Sequence, residues 1–114
     1  MRSVNKYHNK RVIVDGQSFD SRREANRYKD LCFLERAGLI SNLQRQVVYI
    51  LTPTQYDANG VKIHGLDRSF YRADFVYHQD GKLVVEDCKG YRTDVYKLKK
   101  KLMYEKYGIL IKET

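Results

Sequence analysis

The sequence predicts an α/β fold: a central mixed β-sheet flanked by helices, in the order hairpin, helix, three strands, helix, strand, within a single domain over residues 1–114. Three observations predict it. Asp15-Gly16 and Asp80-Gly81 each separate two short runs of β-branched and aromatic residues, the pattern of a hairpin closed by a two-residue loop with φ > 0. Two stretches carry apolar residues at helical spacing between a capping residue and a glycine. Strands and helices alternate along the chain, which favours a sheet covered by helices over a sandwich or a bundle.

Residues 1–10 read as a basic arm, with Arg2, Lys6 and Lys10 around Tyr7 and His8. Arg11 to Phe19 holds the first hairpin. Ser21 opens a helix as N-cap, because Glu24 three residues on completes a capping box. That helix runs to about Ala37, and Gly38 suits the left-handed C′ position. Ala25, Tyr28, Leu31, Cys32 and Leu34 supply its apolar stripe, leaving Arg22, Arg23, Arg27 and Lys29 on the wet side. Leu39 to Leu51 is β-leaning. Residues 52–68 form a polar excursion in which Asn59-Gly60 is expected to close another hairpin. The central hairpin, Tyr71 to Gly90, follows. Thr93 or Asp94 caps a second helix, Val95 to Tyr107, ended by Gly108, with Val95, Leu98, Leu102 and Met103 toward the core. Ile109-Leu110-Ile111 is expected to be a short buried strand.

Composition narrows the function. Lys and Arg exceed Asp and Glu by 22 to 14, a formal charge of +8, which suits a polyanionic partner whose condensed counterions are released on binding. No apolar run approaches the ~20 residues of a membrane span, no segment pairs a basic face with an exposed apolar one, and the polar N-terminus lacks a signal-peptide core. Cys32 and Cys88 lack zinc or disulfide spacing, so a reducing, cytoplasmic setting is expected. Patterns for HNH and HExxH sites and for phosphate-binding GxxxxGK[ST] loops are absent, and His64 and His78 have no partners at metal spacing.

The chemistry concentrates in the central hairpin, YRADFVYHQDGKLVVEDCKG. With a two-residue loop at Asp80-Gly81, Gln79 faces Lys82 and Asp74 lies opposite Asp87, with Cβ atoms about 4.5–5.5 Å apart. Lys89 shares the face of Asp87 by alternation, and Glu86 points the other way. A one-residue bulge would exchange the roles of Glu86 and Asp87. Two carboxylates forced together at the end of a buried strand are costly unless a cation lies between them. Mg²⁺, which prefers oxygen ligands and keeps several waters, suits such a pair. The first turn of the capped helix could add Glu24 as a third carboxylate.

FDSRREANRYKDL, followed by YRADF and LVVEDCKG, resembles the PD-(D/E)xK nuclease superfamily, and within it the endonuclease I type of phage Holliday junction resolvase and a related phage-encoded group. The resemblance spans about Gly16 to Gly90 and extends over the KGYRTDVYKLK tract. It implies a restriction-endonuclease-like core and Mg²⁺- or Mn²⁺-dependent hydrolysis of DNA to 5′-phosphate and 3′-hydroxyl ends. It also implies Glu24, Asp74, Asp87 and Lys89 as catalytic residues, and a metal held by Asp74, Asp87, the Cys88 backbone carbonyl and Glu24. Ala73 replaces the motif's proline, and Asp87 replaces its commoner Glu. A homodimer acting on branched DNA in the cytoplasm of a bacterial host, phage or prophage encoded, follows from the same resemblance. Phosphate contacts are expected from Lys10, Arg11, Arg23, Arg92, Lys97, Lys100 and Lys101. A nicking or DNA-end-processing endonuclease, or a non-catalytic DNA-binding protein, are the alternatives.

Overall fold

The computed structural model describes residues 11–88 and 91–114; the arm over residues 1–10, with Lys10, and the hairpin residue Lys89 lie outside the described residues. β1 (Val12–Val14) and β2 (Gln17–Phe19) form the first hairpin, with Asp15 and Gly16 at φ +52° and +77°. α1 (Arg22–Arg36) starts where expected: Ser21 Oγ accepts the Glu24 N–H at 3.1 Å. Gly38, at φ +79°, follows its C-cap.

β3 (Ser41–Thr52), β4 (Ser69–Gln79), β5 (Lys82–Asp87) and β6 (Lys112–Glu113) make a four-stranded sheet in that order. The β3–β4 and β4–β5 pairs are antiparallel and β5–β6 is parallel, so the sheet is mixed. Gln79 faces Lys82, with Asp80 and Gly81 both at positive φ, as a two-residue loop requires. α2 (Asp94–Tyr107) is capped by Thr93, whose Oγ1 accepts the Tyr96 N–H at 3.0 Å, and ends at Gly108 with φ +68°. Among the described residues no helix is long and apolar enough to cross a membrane.

Two apolar clusters hold this together. Leu31 of α1 packs with Ile40, Phe75 and Tyr77. Tyr96 and Met103 of α2 pack with Leu51, Tyr71, Ala73, Val76, Val85 and Ile111. Phe75 and Tyr77 of β4 thus belong to the α1 cluster, whereas Tyr71 and Ala73, of the same parity, belong to the α2 cluster. In β3, Leu43 packs with the first cluster, and Val47 and Tyr49 with the second. The regular alternation of faces is interrupted in both strands at the same level, at Asp74 and at Gln46.

Four expectations need correction. Val95 and Leu98 are exposed, and the buried residues of α2 are Tyr96 and Met103. The tyrosine can serve as core because its hydroxyl finds a carboxylate, Glu113 Oε2, at 2.7 Å. The last strand is Lys112–Glu113, and Leu110 before it is 71% exposed. Asn59-Gly60 makes a local turn, with Asp57 O accepting the Gly60 N–H and a single bridge from Tyr56 to Lys62, because Ile50 is already paired with Phe70 in the main sheet. Arg27 is not on the wet side: it is half-buried, and both ends of its guanidinium reach Glu86.

Candidate active site

At the interruption Gln46 links two of the acids, Glu24 and Asp74. Gln46 has φ +55° in the middle of β3, a left-handed conformation that costs a side-chain-bearing residue about 1–2 kcal/mol. Such strain persists only where the surroundings impose it. Here the Gln46 side-chain amide donates to Glu24 Oε2 at 3.0 Å and to Asp74 Oδ1 at 3.5 Å. One amide therefore ties a helix acid to a strand acid. Gln46→Gly tolerates the backbone angle and Gln46→Ala does not. The glycine variant is therefore expected to be more stable than the alanine variant by about 1 kcal/mol in urea titration; equal midpoints would contradict a left-handed Gln46.

Glu24 is 4% exposed. Burial is the main reason its carboxyl is held above the usual range, and Asp20 adds to this, while Arg45 and Gln46 pull the other way. Arg45 reaches Glu24 Oε2 at 3.4 Å and lies over the Phe19 ring, 3.8 Å from its centroid. It also donates to Gln17 Oε1 and to the Ser18 carbonyl. The small β1–β2 hairpin thereby acts as a cradle for the arginine that faces Glu24.

Asp74 Oδ2 accepts the Cys88 backbone N–H at 2.8 Å, which pins the strand acid to the end of β5. Asp87, 1% exposed, accepts a hydrogen bond from the Tyr71 hydroxyl at 2.5 Å. Burial first, and then that bond and the Asp87 charge, push the Tyr71 phenol far above its ordinary range, so it remains a proton donor to Asp87; Asp74 adds to the same shift. Glu86 leaves on the opposite side of β5, where it meets Arg27 at 2.6 and 2.8 Å and the Tyr77 hydroxyl. Asp87 and Glu86 thus part company as a two-residue loop requires. The Cys88 thiol is pushed up to about 11, chiefly by burial, and so stays protonated and a poor nucleophile.

Glu24 and Asp74 are joined through Gln46, and Asp74 and Asp87 both bear on Tyr71. Lys89 lies outside the described residues. Among the described residues no group of three or more His, Cys, Asp or Glu side chains forms a ready cage for a metal. The donor set is nonetheless all carboxylate oxygen, which fits Mg²⁺ or Mn²⁺, ions held by one or two protein carboxylates with water and phosphate completing the shell. Gln46 and Arg45 escaped the sequence reading, since only the β3–β4 register brings them to the acids, and the chain holds no local signal for it.

The basic residues fall into two places. Arg11 pairs with Asp20 at 2.5 Å, and with Arg45 and Arg72 it borders a cavity of about 240 Å³ onto which Glu24 and Gln46 open. Arg92 and Lys100 both bind Glu113, at 2.8 and 3.1 Å, on the α2 side, where Lys97 and Lys101 are exposed. Arg23 donates to the Thr114 carbonyl at 3.2 Å. Arg92, expected as a phosphate clamp, is thus engaged by a carboxylate.

No curated protein and no solved structure matches the chain. A family model described as "Protein of unknown function (DUF1064)" matches residues 4–113, nearly the whole sequence, and the chain belongs to that family.

Proposed function

We propose that this protein is a metal-dependent, structure-selective DNA endonuclease that cuts branched DNA, best fitted by a Holliday junction, to leave 5′-phosphate and 3′-hydroxyl ends. The observation that carries the reading is the tie between two acids of different elements, the buried Glu24 and the half-buried Asp74, through a strained Gln46 beside a cavity bordered by arginines, with the buried Asp87 on the strand next to that of Asp74. Burying acids inside a fold costs stability, and a buried carboxyl raised by burial beside a cleft, as at Glu24, supports a reaction centre there.

Asp74 and Asp87, with Glu24 and the Cys88 carbonyl, would hold Mg²⁺ or Mn²⁺. When bound, such an ion lowers the pKa of a water and offsets charge at the phosphorus. The chain's own residues do the rest. Arg45 and Gln46 orient Glu24, Tyr71 orients Asp87, and the Cys88 amide orients Asp74. Lys89 is assigned to the attacking water and the developing charge. Arg72 borders the cavity at Glu24 and is placed to receive a phosphate, whereas Arg11 beside it is engaged by Asp20. Cations spread over several elements suit contacts to the phosphate backbone, which position a duplex without reading its bases. Two matched incisions in a four-way junction call for a homodimer, acting in the cytoplasm of a bacterial host of the encoding phage or prophage.

One gel tests this. A labelled four-way junction, a nicked duplex and a linear duplex are incubated with the protein in Mg²⁺, Mn²⁺ or EDTA. Paired, ligatable nicks in the junction are expected with either metal and none with EDTA. Absence of cleavage of all three substrates in both metals would leave a DNA-binding protein with structural acids.

A further inference from the structure

Between α2 and the C-terminal segment runs a groove of about 600 Å³, lined by Arg92, Lys97, Lys100, Lys101, Tyr104 and Leu110. It differs in character from the cleft at the acids. Tyr104 is 60% and Leu110 71% exposed, so, contrary to the expectation from sequence, an exposed apolar surface does accompany a basic face, that of the second helix. Four basic side chains line the groove against one carboxylate, Glu113, which already receives Arg92, Tyr96 and Lys100. Lys97 and Lys101 are exposed and, among the described residues, make no ion pair. Lys97, Lys101 and Tyr104 follow one another at spacings of four and three, which places them on a single stripe of the helix.

A flat ring and an aliphatic wall flanked by exposed cations call for a ligand with an apolar face and anionic ends. A paired duplex does not offer this, because its bases already stack on each other. An unpaired nucleotide does. A second copy of the chain fits badly, since a two-fold contact across this groove would set its four cations against the partner's four. The groove also starts close to the acids: Glu113 is the ladder partner of Asp87 across β5 and β6.

We propose that this groove receives unpaired nucleotides of the DNA substrate, with one base stacked on Tyr104 and its flanking phosphates on Lys97 and Lys101. The inference rests on the nuclease reading for its substrate, and its test does not require cleavage. The full-length protein is titrated, in EDTA, against a fluorescent twelve-nucleotide dT oligomer and against an abasic oligomer of the same length. Tyr104→Ala is expected to weaken binding of the dT oligomer by about 5- to 100-fold and to leave the abasic oligomer within about twofold, while Tyr104→Phe keeps both near wild type. Lys97→Gln with Lys101→Gln should weaken both oligomers and flatten the salt dependence by about 1.4 in log–log slope, about 0.7 for each phosphate no longer neutralised. The exposed position of Tyr104 makes a folding defect easy to recognise by thermal melting.

Indifference of dT binding to Tyr104→Ala, or an equal weakening on both oligomers, overturns the proposal. So does a change of oligomeric state in light scattering with dT affinity intact, which would make the groove a contact between copies. Binding as described in a protein that cuts nothing with Mg²⁺ keeps the groove and removes the nuclease reading; junction cutting with no role for Tyr104 does the reverse.

Discussion

Replacing Asp87 with Asn is expected to abolish Mg²⁺-dependent cleavage, a loss of about 10³-fold or more in rate, while DNA binding persists. The substitution keeps the volume of a side chain that is 1% exposed and leaves an oxygen to accept the Tyr71 hydroxyl, and thermal melting separates a folding defect from a catalytic one. It removes one of the negative charges on which a divalent ion depends. Asp74→Asn should lose cleavage alike; the Asn oxygen can still take the Cys88 N–H, but its amide nitrogen then faces the Gln46 amide, so the bridge to Glu24 is lost as well. Lys89→Ala is expected to lose cleavage without loss of DNA affinity. Glu24→Gln removes a carboxyl whose burial already disfavours its charge, so it should lose metal affinity more than folding stability. The measurements are single-turnover cleavage of a junction and its mobility shift in Ca²⁺ or EDTA. Wild-type cutting by Asp87→Asn would remove the acid from the site and return attention to Glu86.

Asp87 and Glu86 illustrate what could be read from the chain and what could not. The choice between them rested on the length of one loop, and Asp80-Gly81 is short-range information that a sequence displays openly. The Ser21 cap and the glycine ends of both helices are legible for the same reason, each being a backbone requirement met by residues a few positions apart; the reciprocal half of the capping box is not made, because the Glu24 carboxylate turns to Arg45 and Gln46. The helix faces were less legible. Counting apolar residues put Val95 and Leu98 inside, but Tyr96 won the interior because Glu113, contributed by a strand farther along the chain, satisfies its hydroxyl. Residues 52–68 failed for a related reason. Asn59-Gly60 is a good hairpin signal, yet β3 was already paired with β4. Gln46 was invisible, since nothing in QRQVV announces a left-handed residue within a strand. Its role exists only once β3, β4 and α1 have met.

Arg27, expected on the wet side of its helix, is half-buried against Glu86, and the second large effect belongs to it. Arg27→Met is expected to destabilise the fold by about 3 kcal/mol, the low end for breaking a buried ion pair from one side, because Arg27 keeps 23% of its side chain in solvent. The carboxylate left behind, Glu86, is fully buried. Burial alone would raise its carboxyl; the Arg27 and Tyr77 hydrogen bonds and the charge of Arg27 overcome that and hold it below the usual range. Lys112, at 4.0 Å, is too distant to replace a two-pronged guanidinium. Glu86→Gln alone should cost less, since an amide oxygen at the Oε2 position still accepts from Tyr77 and from Arg27 Nη2, and only the Arg27 Nε–H, facing the amide nitrogen at Oε1, loses its acceptor. The double variant, Arg27→Met with Glu86→Gln, carries no unpaired buried charge and is expected to be more stable than Arg27→Met, which makes the coupling between the two sites positive in a urea double-mutant cycle. Additive losses would show that the pair does not act as a unit. The cycle also separates the two faces of β5: these variants should lose stability in proportion to the broken pair, while the folded fraction cuts DNA at the wild-type rate, whereas Asp87, one residue on, should show the reverse.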